Sequence, residues 1–166
     1  MAKQYSAEDG FTVCDLLTGA FDHLSASKAL FKDEHPEHLD SAGYLAQLGV
    51  ELLLKALLLH RNATFPETHS LEVLLGLVAA EFPGAKMRKG EGMYRDIILS
   101  LDRFYELRYP IPNGSHAISR GDWQAIELLI ERLWPLIPLN FQKMVDISKR
   151  REKFGRVVSN AQNLEN

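Results

Sequence analysis

Leu45-Ala46-Gln47-Leu48-Gly49-Val50-Glu51-Leu52-Leu53-Leu54-Lys55-Ala56-Leu57-Leu58-Leu59 decides the architecture of this chain. Only Gln47, Glu51 and Lys55 interrupt it, each four residues from the last, so on a helix they draw one narrow polar stripe between apolar faces. A helix apolar on nearly every side belongs in the middle of a bundle, and the stretch is predicted to be the central helix, from about Glu37 to Arg61. The apolar run is too short and too charged to read as a bilayer span.

Towards the N-terminus, Ser6 followed by Asp9 has the pattern of a helix cap, and Phe11, Cys14, Leu17, Phe21 and Leu24 recur at helical spacing up to about Lys32. The segment Asp33 to His38 breaks that helix, with Pro36 suited to the first turn of the central one. Beyond the central helix, Thr68 or Ser70 caps a shorter helix carrying Leu71, Val73, Leu74, Leu75, Leu77 and Val78, which Pro83-Gly84 ends. A basic link from Gly84 to Gly92, with Lys86, Arg88 and Lys89, reads as a mobile loop before a helix on Met93, Ile97, Leu101 and Phe104. Pro110, Pro112 and Asn113-Gly114 then impose a loop. Ser119 with Asp122 caps a last core helix on Trp123, Ile126, Ile130, Leu133 and Ile137, bent or stopped by Pro135 and Pro138. No segment alternates with period two. The expected fold is all-α: an antiparallel bundle of four to five helices over residues 1–140 and a basic amphipathic tail helix with a frayed end over 141–166.

Length and composition agree with one globular domain: 166 residues, 46% hydrophobic and 25% charged. The single cysteine, Cys14, excludes an intrachain disulfide framework and a cysteine zinc site, and the N-terminus lacks a secretory signal pattern, so a cytoplasmic protein is expected. A net charge of -3 conceals a basic cluster, Lys143, Lys149, Arg150, Arg151, Lys153 and Arg156, set against only Asp146 and Glu152. Such a cluster is either a phosphate-contacting surface or the wet face of a helix.

Glu51 and Lys55 have the favourable order for a helical ion pair. They form either a solvent-facing stripe or a pair turned into a cleft or dimer seam, where they would orient a phosphate ligand or its contacts. His69 stands at the start of the third helix, where its ring can bond a neighbouring helix or backbone group, or contact ligand. His35 and His38 have the spacing of a metal pair without a third ligand nearby in sequence, so no metal is expected. The strongest candidate is the loop from Arg108 to His116, with Tyr109 beside the arginine. It joins a permanently charged guanidinium to an imidazole that titrates near neutrality, the minimum chemistry for metal-free phosphodiester cleavage. The competing reading has Arg108 capping a helix and His116 decorating a loop. No Gly-rich phosphate loop, dinucleotide fingerprint, nucleophile elbow or paired-acid signature is present, so no cofactor is expected.

Three short motifs in order, Gly49-Val50-Glu51-Leu52-Leu53-Leu54-Lys55-Ala56-Leu57-Leu58-Leu59, then Thr68-His69-Ser70-Leu71, then Tyr105-Glu106-Leu107-Arg108-Tyr109-Pro110, resemble the HEPN family of higher eukaryote and prokaryote nucleotide-binding domains over about residues 8–137. The resemblance implies a helical bundle that commonly homodimerises around a composite cleft. Many members are metal-independent RNases of toxin or defence type, using an Arg and a His four to six residues apart. Others are non-catalytic modules acting with a partner protein, an antitoxin or a nucleotidyltransferase. It therefore implies RNA or nucleotide as ligand, Arg108 and His116 as the catalytic pair of the RNase form, and Tyr109, Glu51, Lys55 and His69 as ligand contacts. Here seven residues separate Arg108 from His116, one more than the RNase motif holds, and two of them are proline.

Overall fold

The computed structural model describes residues 3–32, 35–85, 92–108, 117–137 and 139–144. It is a helical bundle in which α1 (Val13–Lys32) and α2 (Leu39–Asn62) pack along their lengths, with α3 (Leu71–Glu81), α4 (Gly92–Ser100), α5 (Arg120–Leu133) and a short α6 (Leu139–Met144) completing the wall. Leu53, Leu54, Ala56, Leu57 and Leu58 of α2 are all buried, as an all-round apolar helix requires. At 24 residues, α2 is long and apolar enough to cross a membrane, longer than the apolar run alone suggests, but its hydrophobic window is 78% buried inside the bundle.

Two close approaches fix how α2 sits. A Cβ on Gly49 would lie 2.6 Å from Leu24 Cγ and 3.0 Å from the Ala20 carbonyl oxygen, so α1 touches α2 nearly backbone to backbone. A Cβ on Gly43 would fall 2.2 Å from Phe104 Cε1, so the ring of Phe104 fills the place of a side chain on α2.

The caps anticipated from sequence form, with one displacement. Ser6 and Asp9 do make a reciprocal capping box, but it caps a single 3-10 turn, Ala7–Asp9, that Gly10 ends at φ 89°. The first α-helix starts later, where the Asp15 amide donates to Thr12 Oγ1 at 3.0 Å. Ser70 caps α3, and Ser119 with Asp122 makes the capping box of α5. Within α3, Leu71, Leu74 and Val78 face the core, whereas Val73 and Leu77 are exposed.

Two features depart from the sequence reading. Gln4–Ser6 (β1) pairs antiparallel with Thr64–Pro66 (β2), Tyr5 opposite Phe65, strands too short to show a period of two. Tyr5, Phe11 and Phe65 pack their rings at centroid distances of 5.2 to 5.7 Å and pin this ribbon to the end of α2. The fourth helix also changes type: Leu101–Arg108 is a 3-10 helix and not an α-helical continuation. The apolar residues there recur every third position, Leu101 and Phe104 fully buried and Leu107 packed against the core. Residues three apart eclipse on a 3-10 helix, so that spacing keeps one straight apolar row against α2.

Of the tail, α6 is described, and Gln142 donates its amide to the Ile137 carbonyl at 2.6 Å to close the end of the α5 region. Lys149, Arg150, Arg151, Lys153 and Arg156 lie outside the described residues, as do Lys86, Arg88 and Lys89 of the basic link.

The packing predicts opposite signs for two glycine substitutions. Gly49→Ala drives a methyl into α1 and should cost about 1–3 kcal/mol as overpacking. Gly76, on α3, has no atom within 4 Å of an added Cβ, so Gly76→Ala should gain up to about 1 kcal/mol of helix propensity. Urea unfolding of the two variants beside the parent checks both signs.

Candidate functional site

The polar stripe of α2 does not face solvent. Gln47, Glu51 and Lys55 are all buried, with the Glu51 side chain only 2% exposed, so the reading of a solvated surface stripe is overturned. The stripe is covered because the chain returns over it: the segment after β2 lays His69 on Glu51, and the 3-10 helix Leu101–Arg108 closes against both.

Glu51 is the hub of this cluster. Its Oε1 accepts from Lys55 Nζ at 2.7 Å, and its Oε2 accepts from Gln47 Nε2 at 3.3 Å. His69 Nδ1 lies 3.0 and 3.1 Å from the two carboxylate oxygens and donates its proton to them. The same Gln47 amide donates to the main-chain carbonyl of His69 at 3.2 Å, holding the residue by its backbone as well. Lys55 Nζ also lies 5.6 Å from the centroid of Phe65, so the ammonium sits between a carboxylate and a ring face. Removing one partner of such a buried pair strands the other charge, at a cost of about 3–5 kcal/mol.

His69 itself is 43% exposed, so the cluster runs from a buried carboxylate to a surface imidazole. Tyr105 stacks on one face of that ring, centroids 4.3 Å apart and planes 23° from parallel. Asp102, one 3-10 turn earlier, accepts the Leu71 amide on both carboxylate oxygens, at 3.1 and 3.0 Å, and so caps the start of α3 from outside. Burial holds the Asp102 carboxyl above the usual aspartate range, helped by the negative charge of Glu51 and opposed by hydrogen bonds from Leu71, Ser70 and Gln47.

Asp102, Tyr105 and Arg108 are three apart and form a second row on the 3-10 helix, beside the apolar one. Asp102 meets Leu71 and Tyr105 meets His69, so the backbone of Arg108 comes one turn, about 6 Å, further along the same line. Arg103, on the same helix, pairs Nη2 with Asp122 Oδ2 at 3.0 Å. Since Asp122 belongs to the capping box of α5, that ion pair joins the 3-10 helix to the start of α5, the two helices on either side of residues 109–116 in the sequence.

Of the residues singled out in the sequence, the structure brings Glu51, Lys55 and His69 together. The bond from His69 to α2 is the neighbouring-helix contact anticipated for it. Arg108 is the last residue of the 3-10 helix, while Tyr109 and His116 lie outside the described residues. Among the described residues, no group of three or more His, Cys, Asp or Glu side chains is placed to hold a metal ion; His35 instead approaches the carboxylate of Glu37 at 3.3 Å on the surface. Asp102 and the stacking role of Tyr105 were not visible in the sequence, because the row that aligns them exists only on a 3-10 helix, and Arg103 was not because its partner Asp122 lies on another element.

A family model described as HEPN domain matches residues 13–132, from the first residue of α1 to the last turn of α5. No curated protein and no solved structure matches the chain.

The raised Asp102 carboxyl gives a pH test. The folded state binds this proton more tightly than the unfolded chain, so the stability it contributes is fully present below the ordinary aspartate value of 3.8 and is lost as the pH rises through the higher folded value. The destabilisation caused by Asp102→Asn should therefore be larger at pH 4 than at pH 7, read by urea unfolding of both proteins at each pH.

Proposed function

The chain belongs to the HEPN domain family, and from that premise we propose that it is an RNA-binding protein that cleaves its ligand without a metal, with Arg108 and His116 as the catalytic pair. The observation that carries this reading is the second row of the 3-10 helix. It anchors Asp102 on the start of α3 and Tyr105 on His69, so that the backbone of Arg108 ends a helix held at two points. A guanidinium carried at the end of that helix is suited to steadying charge on the phosphate oxygens, and a histidine among the residues that follow supplies proton transfer. The Arg103–Asp122 ion pair joins the 3-10 helix that ends at Arg108 to the cap of α5, which supports a histidine from the residues between them working with the arginine across the longer spacing. The protein acts in this reading as a cytoplasmic homodimer of toxin or defence type, with phosphate-contacting lysines and arginines from the tail adding affinity.

A second reading, a non-catalytic module that docks a partner protein such as a nucleotidyltransferase, has its own observation: Val73 and Leu77 present exposed apolar side chains one turn apart on α3.

Purified protein incubated in EDTA with RNA containing both structured and single-stranded parts should leave cyclic phosphate ends. Arg108→Ala should lower the rate about 100- to 1,000-fold through lost charge stabilisation, and His116→Ala at least about 100-fold through lost proton transfer. RNA binding without cleavage by the parent at high concentration would leave the interaction module as the better account.

A further inference from the structure

His69 is built unlike a core histidine. A structural imidazole buries its ring and engages both nitrogens, whereas here one edge is tied to a carboxylate whose side chain is 2% exposed and the histidine side chain as a whole is 43% exposed. Nε2 has no hydrogen-bond partner among the described residues. Because Nδ1 gives its proton to Glu51, the neutral ring carries its lone pair on Nε2. The ring plane is fixed twice, at the Nδ1 edge by both oxygens of Glu51 and over its face by Tyr105. Glu51 is itself held by Lys55 and Gln47, so the hydrogen-bonded support continues into the core. A base held in one tautomer and one orientation by a buried carboxylate, with its other nitrogen open, has the construction of a proton acceptor in hydrolytic sites.

We propose that His69 is a catalytic base acting on RNA, with Glu51 as its positioning residue, an inference that rests on the RNA-cleaving reading above. Nε2 takes the proton of a ribose 2′-hydroxyl. The 2′-oxygen bonds to the adjacent phosphorus, the bond from phosphorus to the 5′-oxygen breaks, and that oxygen takes a proton from His116, the proton donor of the pair proposed above. The products are a 2′,3′-cyclic phosphate and a 5′-hydroxyl; the His69 imidazolium returns its proton to solvent, and His116 takes one back from it. Arg108 begins about one 3-10 turn beyond the Tyr105–His69 stack.

The test uses the full chain and one RNA substrate, reading cleavage rate in EDTA and affinity by fluorescence anisotropy in parallel. His69→Asn is the informative variant, because its side-chain amide can still donate to Glu51 while nothing replaces Nε2. It should fold, bind RNA within about threefold of the parent, and lose at least about 100-fold in rate, the usual range for a general base. Free imidazole should restore part of the rate of His69→Asn and His69→Ala and none of that of Arg108→Ala. Cleavage by folded His69→Asn within a few-fold of the parent, with Arg108→Ala and His116→Ala inactive, would overturn the role of His69 and leave the proposed function standing. A parent that binds RNA and never cleaves it would overturn the catalytic role of His69 and of the pair alike; one that neither binds nor cleaves would remove the RNA reading itself.

Discussion

The carboxylate of Glu51 is the constraint around which the site is arranged. It lies on the central helix at a position the bundle buries, and an ionised carboxylate taken out of water must be met by charge and by hydrogen bonds. Lys55 supplies the charge from one turn away, Gln47 supplies an amide from the turn before, and His69 closes the remaining side. The first two partners are local to α2; the third is not. Satisfying Glu51 thus requires the chain to come back across the helix after β2, and that return carries Ser70 and Leu71 into place to begin α3.

Further contacts extend outward from that return. Asp102 takes the first amide of α3, Tyr105 covers the imidazole, and Arg103 reaches the capping box of α5. One short 3-10 helix therefore touches the starts of two α-helices, the histidine and the central helix, where Gly43 admits the ring of Phe104. A chain with this arrangement keeps a surface imidazole and the base of Arg108 in fixed relation without any ligand. Preorganisation of that kind is what charge stabilisation in a transition state draws on.

Much of the bundle was legible in the sequence, because it follows from local rules. The all-round apolar character of α2 placed it at the centre, and three serine caps marked where the chain enters helical turns at Ser6, Ser70 and Ser119. What was not legible depended on which long-range partner covers which face. A stripe of Gln47, Glu51 and Lys55 reads alike whether water or protein lies over it, and only the return of His69 decides. The 3-10 segment was hidden for a related reason: positions 97, 101 and 104 fit an α-helical stripe as well as 101, 104 and 107 fit a 3-10 row. Asp102 and Arg103 then look like ordinary surface charges, although one caps a helix and the other pairs with the capping box of α5. His69 was noticed as a residue, but its carboxylate partner sits eighteen positions away and could not be assigned from spacing.

The most direct measurement is the tautomer of His69, read from the side-chain nitrogen shifts and long-range proton–nitrogen couplings of the labelled protein at a pH where the ring is neutral. The account requires the proton on Nδ1 in the parent, and loss of that preference in Glu51→Gln, whose amide no longer offers two anionic acceptor oxygens. A parent ring protonated on Nε2, or one whose tautomers exchange as in a free histidine, would contradict the claim that a buried carboxylate holds this imidazole for use at the surface.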